Sequence, residues 1–147
     1  MVIDKDHNKQ KILSVLDPIV VKWFSKKFKG LTPSQKQAIV NIHRRKNTLV
    51  ASPTGSGKTL SAFLSIISEL VKASRNNKLI DQVYCVYISP LRSLNNDIAK
   101  NVREPLEELI KMNEYVSQIR VGVRTGDTPQ NERSKMLRKP PHILITT

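Results

Sequence analysis

Eight residues constrain this chain more than any others: Ser52-Pro53-Thr54-Gly55-Ser56-Gly57-Lys58-Thr59. They stand where the hydrophobic pattern changes period. Before them Thr48-Leu49-Val50-Ala51 reads as a short apolar strand, and after them apolar residues recur at helical spacing from about Lys58 to Ala73. A glycine-rich turn that ends in Gly-Lys-Thr between a strand and a helix is the setting of a phosphate-binding loop. Gly55 and Gly57 let the backbone curl so that successive N–H groups face a phosphate, and the positive end of the following helix adds to the attraction. In that reading Lys58 is the catalytic cation that reaches the β- and γ-phosphates, and the Thr59 hydroxyl ligates Mg²⁺. Ser52 takes the place of the usual first glycine and is small enough for the turn. The alternative is a glycine-rich strand-to-helix turn that binds nothing.

The remaining elements alternate in the same way. Asp17-Pro18 reads as a helix cap and first helical residue, with Ile19, Val20, Trp23, Phe24 and Phe28 as the apolar stripe behind it. A second helix opens at Thr32-Pro33 and carries Ala38, Ile39 and Ile42. Asp81–Ser89 contains an almost continuous apolar run, the pattern of a strand buried on both faces of a parallel sheet. An amphipathic helix follows over roughly Leu94 to Met112, then a strand over 119–123, a turn at Gly126-Asp127-Thr128-Pro129, a short polar helix, and a fourth strand over 142–146. This alternation predicts an α/β fold with a mainly parallel sheet. No internal repeat interrupts it.

Of 147 residues, 25 are Lys or Arg and 12 are Asp or Glu, a formal net charge of +13. The excess gathers at the front, in Lys22, Lys26, Lys27, Lys29 and Arg44-Arg45-Lys46. Such clusters suit a partner with a phosphate backbone, and equally a solvated helix face. No run approaches 18 apolar residues and the start has no apolar stretch of signal-peptide length, so the expectation is an intracellular protein with no membrane partner. Cys85 is the single cysteine and lies in an apolar run, where a buried inert thiol is expected. His7, His43 and His142 have no cysteine or carboxylate at metal-binding spacing.

Several segments in order are similar to one family. They are Trp23-Phe24 and Phe28; Leu31-Thr32-Pro33-Ser34-Gln35; the phosphate loop; Tyr87-Ile88-Ser89-Pro90-Leu91-Arg92-Ser93-Leu94; Arg124-Thr125-Gly126-Asp127-Thr128-Pro129; Glu132-Arg133; and Ile143-Leu144-Ile145-Thr146-Thr147. Together they resemble the first motor domain of superfamily 2 helicases, and within it the large helicase-related (Lhr-like) proteins of archaea and bacteria. The resemblance implies a three-layer RecA-like P-loop NTPase domain. Residues 1–30 would be a helical lead-in and 31–147 the front portion of the ATP-binding domain. It also implies ATP and Mg²⁺ as cofactors, a prokaryotic, nucleoid-associated protein of the cytoplasm, and a track of single-stranded nucleic acid, DNA ahead of RNA.

Residue by residue, the resemblance places Gln35 at the adenine edge and Phe28 near the base, with Ser52 to Thr59 around the phosphates. Thr32-x-x-Gln35 is also a capping box, in which Gln35 ties off a helix start, and both roles remain open. Pro90, Leu91, Arg92 and Ser93 would track a strand backbone, with Gly126-Asp127 and Thr146 as further contacts. Asp127 serves equally well as a turn residue.

No carboxylate pair follows an apolar strand anywhere in the sequence. The resemblance puts that pair beyond Thr147 and a second motor domain with its arginine finger farther on, so the expectation is an incomplete domain that binds ATP and hydrolyses it poorly. The rival readings are a non-catalytic nucleotide- or nucleic-acid-binding module and another P-loop protein such as a small kinase. An open apolar sheet edge would further invite self-association.

Overall fold

The computed structural model describes residues 7–89 and 92–147, with the backbone alone over 92–101. The chain divides into two compact units, residues 1–72 and 73–147.

In the first unit, side chains ahead of three helices accept N–H groups that have no acceptor inside the helix. Helix α1 (Lys9–Val15) starts at Asn8, whose Oδ1 accepts from the Lys11 N–H at 2.7 Å. Helix α2 (Pro18–Lys27) starts at Asp17, whose carboxylate accepts from the Ile19 N–H at 3.0 Å, and Pro18 fills the first helical position, where a missing N–H costs nothing. Helix α3 (Pro33–His43) carries a complete capping box: the Gln35 N–H donates to Thr32 Oγ1 at 3.3 Å and the Thr32 N–H donates to Gln35 Oε1 at 2.9 Å. Helix α4 (Lys58–Arg75) begins inside the phosphate loop.

The core of this unit gathers Ile12, Val20, Trp23, Phe24, Ile39, Leu64, Ile67 and Val71, each almost wholly buried. Hydroxyls on α4 satisfy main-chain groups of the other helices. Ser68 Oγ accepts from the Asp17 N–H at 2.6 Å, and Ser65 Oγ donates to the Ile39 carbonyl at 3.2 Å. Buried serines on an otherwise apolar helix are thereby accommodated.

The second unit holds β1 (Cys85–Ile88), α5 (Arg92–Met112), a 3₁₀ turn (Glu114–Gln118), β2 (Val121–Arg124), α6 (Gln130–Arg138) and β3 (Ile143–Thr146). The sheet order is β1-β3-β2, with both pairings parallel. Ile143 faces Cys85 on one side and Val121 on the other, and Thr146 faces Ile88 and Arg124, so the carboxyl ends of all three strands are level. Helix α5 packs against β2 and β3 and buries Val102, Leu106 and Leu109.

Three expectations need correction. Thr48–Ala51 is not a strand: among the described residues no strand hydrogen-bonds to it, and Leu49 is 86% exposed. Apolar, β-branched composition supplies the propensity, but a strand exists only where a ladder partner satisfies its backbone. The described sheet accordingly has three strands where four were expected. β1 is also not buried on both faces. Among the described strands it lies at the edge, and its residues alternate between half-buried and exposed, with Val86 at 53% and Ile88 at 71%. Cys85 on its inner face is half-buried, and that burial pushes its thiol pKa up.

Two residues at the start of β2 and β3 carry specific consequences. A methyl added at Gly122 would lie 2.8 and 2.9 Å from Pro141 carbons and 3.0 Å from Met136 Sδ. Gly122→Ala is expected to destabilise the chain by about 1–3 kcal/mol through overpacking, measurable by urea denaturation. His142 is 1% exposed, and its Nδ1 accepts from the Arg120 N–H at 3.1 Å. Burial, and then the Arg120 guanidinium, hold its pKa below the ordinary value. The unfolded chain takes this proton near the ordinary value of about 6.5 and the folded chain only at lower pH, so between the two the unfolded state binds more protons. The contribution to stability is therefore complete above about pH 6.5 and is lost as the pH falls through the lower folded value. Melting temperatures taken from about pH 8 to 5 should drop on acidification, and His142→Gln should flatten that dependence. An unchanged slope in the variant would assign the acid sensitivity elsewhere.

Candidate functional site

The phosphate loop has the geometry its glycines require. Gly55 and Gly57 have φ of +79° and +83°, the left-handed region that side chains with a Cβ disfavour. Ser52 Oγ and Ser56 Oγ are 2.6 Å apart and the Ser56 N–H donates to the Pro53 carbonyl at 3.4 Å, which closes the turn. Ser52, at the position usually held by glycine, thus gains a hydroxyl contact that glycine lacks. Among the described residues no acceptor meets the N–H of Gly55 or Gly57. The N–H groups of the first turn of α4 have no acceptor within the helix. The loop therefore offers a set of unpaired donors at a helix N-terminus, the chemistry a polyphosphate fits. Lys58 Nζ donates to the Ser52 carbonyl, and to the Pro53 carbonyl at 2.9 Å, folded over the loop. Thr59 is exposed on the first turn of α4.

The start of α3 is tied to this loop. Ser34 Oγ donates to the Ser56 carbonyl at 2.7 Å and lies 3.0 Å from Thr32 Oγ1. Gln35 is 3% exposed, and a methyl built on Gly57 would come within 2.7 Å of its Nε2. The capping role of Gln35 is formed in full, and the same side chain stands directly against the loop. Ser34 was not among the expected site residues; its signal in the sequence is only a small hydroxyl beside the capping threonine. Phe28, 36% exposed, stacks on Phe24 at 4.9 Å and meets Trp23 edge-on at 5.9 Å. Trp23 and Phe24 are core, whereas Phe28 keeps an open edge. Lys27 lies over the Trp23 ring at 5.7 Å, and Lys22, Lys26 and Lys29 are exposed.

The nucleic-acid candidates belong to the second unit. Pro90 and Leu91 lie outside the described residues, and Arg92 and Ser93 are described only as the backbone start of α5. Gly126 and Asp127 are exposed in the turn that follows β2. Thr146 ends β3, and its hydroxyl donates to the Arg124 carbonyl at 2.6 Å. Gly126, Asp127 and Thr146 therefore share the carboxyl edge of the parallel sheet, where open α/β folds present ligand-binding loops. At the opposite, amino end of β2, Arg120, Lys135, Arg138 and Lys139 line a groove of about 520 Å³ beside the end of α6.

Residues 32–147 match the DEAD/DEAH box helicase family. The chain belongs to that family. The chain is 50% identical to the ATP-dependent helicase Lhr-Core of Methanocaldococcus jannaschii, over 99% of its own length and 18% of that protein's. It superposes with a TM-score of 0.81 on the Mycobacterium smegmatis helicase Lhr bound to ssDNA and AMP-PNP, at 39% identity, covering 92% of this chain and 17% of that one. The DEAD-box helicase Mss116 bound to ssRNA and UDP-BeF gives a TM-score of 0.76 at 26% identity, covering 99% of this chain and 29% of that one. The resemblance to Lhr-like helicases and the RecA-like α/β fold are both borne out. The chain spans less than a fifth of the length of these Lhr relatives. None of the described helices is long and apolar enough to cross a membrane.

Proposed function

We propose that this chain is the ATP-binding front portion of the first motor domain of an ATP-dependent helicase that moves on single-stranded nucleic acid, with DNA as the preferred track. The observation that carries the reading is the phosphate loop, in which two left-handed glycines, unpaired N–H donors and Lys58 come together at the start of α4. Lys58 exchanges two neutral carbonyl acceptors for charged phosphate oxygens, a stronger charge-assisted pairing. The Thr59 hydroxyl stands on the first turn of α4 for Mg²⁺, and Phe28 with Gln35 borders the adenine. MgATP held there would supply the β–γ phosphoanhydride bond whose hydrolysis powers an ATP-dependent helicase.

Gly126, Asp127 and Thr146 form a sequence-independent strand contact at the carboxyl edge of the sheet. The relative bound to ssDNA and AMP-PNP supports DNA as the track and ATP as the nucleotide.

A second reading has one specific observation behind it. β1, β2 and β3 are followed by Ser89, Thr125 and Thr147, and none of the described strands delivers a carboxylate pair to the sheet edge. This chain alone then acts as a binding module with little turnover.

Calorimetric titration with MgATP and fluorescence anisotropy with labelled oligo-dT test the proposal. The expected result is saturable binding of both, with nucleotide binding dependent on Lys58 and strand binding weakened by salt. Failure of MgATP to bind refutes it.

A further inference from the structure

The turn Thr125-Gly126-Asp127-Thr128 is held from beneath by one side chain. Arg133, half-buried on the first turns of α6, donates from Nε to the Thr128 carbonyl at 2.8 Å. From Nη2 it donates to the Thr125 carbonyl at 3.1 Å and the Gly126 carbonyl at 2.8 Å. Three main-chain carbonyls are thereby drawn to one guanidinium. The hydroxyls of the turn complete the frame: the Thr125 N–H donates to Thr128 Oγ1 at 2.8 Å, the Asp127 N–H to Thr125 Oγ1 at 3.3 Å, and Thr128 Oγ1 to the Val123 carbonyl at 3.3 Å. Gly126 is exposed, and among the described residues no acceptor meets its N–H.

The consequence is electrostatic as well as geometric. Carbonyl oxygens facing a nucleic-acid phosphate would repel it, whereas these are engaged by the Arg133 guanidinium. A main-chain N–H is left free on the exposed turn. A planar fork serves three acceptors at once, which an ammonium on a flexible stem does not reproduce. We infer that Arg133 is a positioning residue for strand binding: it orders the 125–128 turn, neutralises its carbonyls and leaves the Gly126 N–H free for a phosphate oxygen. Arg133 does not itself contact the strand. The inference rests on the reading that this turn lies on single-stranded nucleic acid.

The test measures binding of the full chain to labelled oligo-dT across a salt series for Arg133→Ala, Arg133→Lys and Gly126→Asp. Gly126→Asp places a carboxylate where the phosphate is expected while leaving Arg133 in place, and so reports on the strand reading. The expected result is a roughly tenfold loss of strand affinity in Arg133→Ala, as the ordering cost of the turn falls on binding, with little recovery in Arg133→Lys. The salt slope stays that of the parent chain, and MgATP affinity is unchanged. Amide hydrogen exchange in residues 125–128 quickens in both Arg133 variants. Arg133→Lys keeps the charge and most of the volume, so it preserves the test should Arg133→Ala not fold.

If Gly126→Asp weakens binding while the Arg133 variants bind like the parent, the role assigned to Arg133 is wrong and the strand reading stands. A salt slope shallower by about 0.7 in Arg133→Ala would make Arg133 a direct phosphate contact and overturn the positioning role. Unchanged binding by Gly126→Asp would overturn the strand reading and this inference with it.

Discussion

Gly57→Ala is expected to melt well below the parent chain and to bind MgATP poorly. Two costs combine at this position. The backbone sits at φ +83°, where a Cβ is strained, and the added methyl would lie 2.7 Å from Gln35 Nε2 and 3.4 Å from Thr32 Oγ1. Gln35 cannot simply swing away, because its Oε1 accepts the Thr32 N–H and closes the capping box of α3. Strain at the glycine and loss of the cap together amount to about 2–4 kcal/mol. For a chain of this size that lowers the melting temperature by roughly 5–15 °C. Gly55→Ala is the control: its φ is +79°, but nothing lies within 4 Å of the added methyl, so only the backbone term applies. Thermal melts followed by circular dichroism should rank the parent above Gly55→Ala and Gly55→Ala above Gly57→Ala. Equal melting of the two variants would mean that the contact with Gln35 contributes nothing.

Lys58→Ala should behave in the opposite manner, leaving the fold nearly intact while removing nucleotide affinity. Among the described residues Lys58 Nζ bonds carbonyls of its own loop, those of Ser52 and Pro53, so its loss leaves two acceptors at a half-exposed turn rather than a hole in the core. In the proposed function the same ammonium would make charge-assisted bonds to a bound polyphosphate. Losing one or two of them corresponds to roughly a 10- to 100-fold weaker affinity, read by calorimetry. A variant that binds MgATP as tightly as the parent would remove Lys58 from the site.

What the sequence made legible is what nearby residues decide. Asp17-Pro18 and Thr32-Pro33-Ser34-Gln35 announced two helix starts because a cap is a contact between residues two or three apart, and both caps form. The paired glycines of the phosphate loop and the turn at 125–128 were legible for the same reason. The misreadings all involve partners distant in the chain. Leu49 and Val50 have the composition of a strand, but composition cannot supply a ladder. Val86 and Ile88 are apolar, yet their exposure depends on what covers an edge strand. The capping reading of Gln35 was available from spacing, but its packing against Gly57 was not, since loop and helix meet only in three dimensions. Ser34 and Arg133 were passed over as site residues because their contacts are with carbonyls, groups every residue possesses and no motif displays.

The most direct measurement is MgATP hydrolysis by the 147-residue chain, with and without single-stranded DNA, beside Lys58→Ala. The expected result is Lys58-dependent binding with negligible turnover, because no described strand is followed by a carboxylate pair. DNA-stimulated hydrolysis that disappears in Lys58→Ala would contradict this and assign the water-activating carboxylate to one of the acidic residues already in the chain.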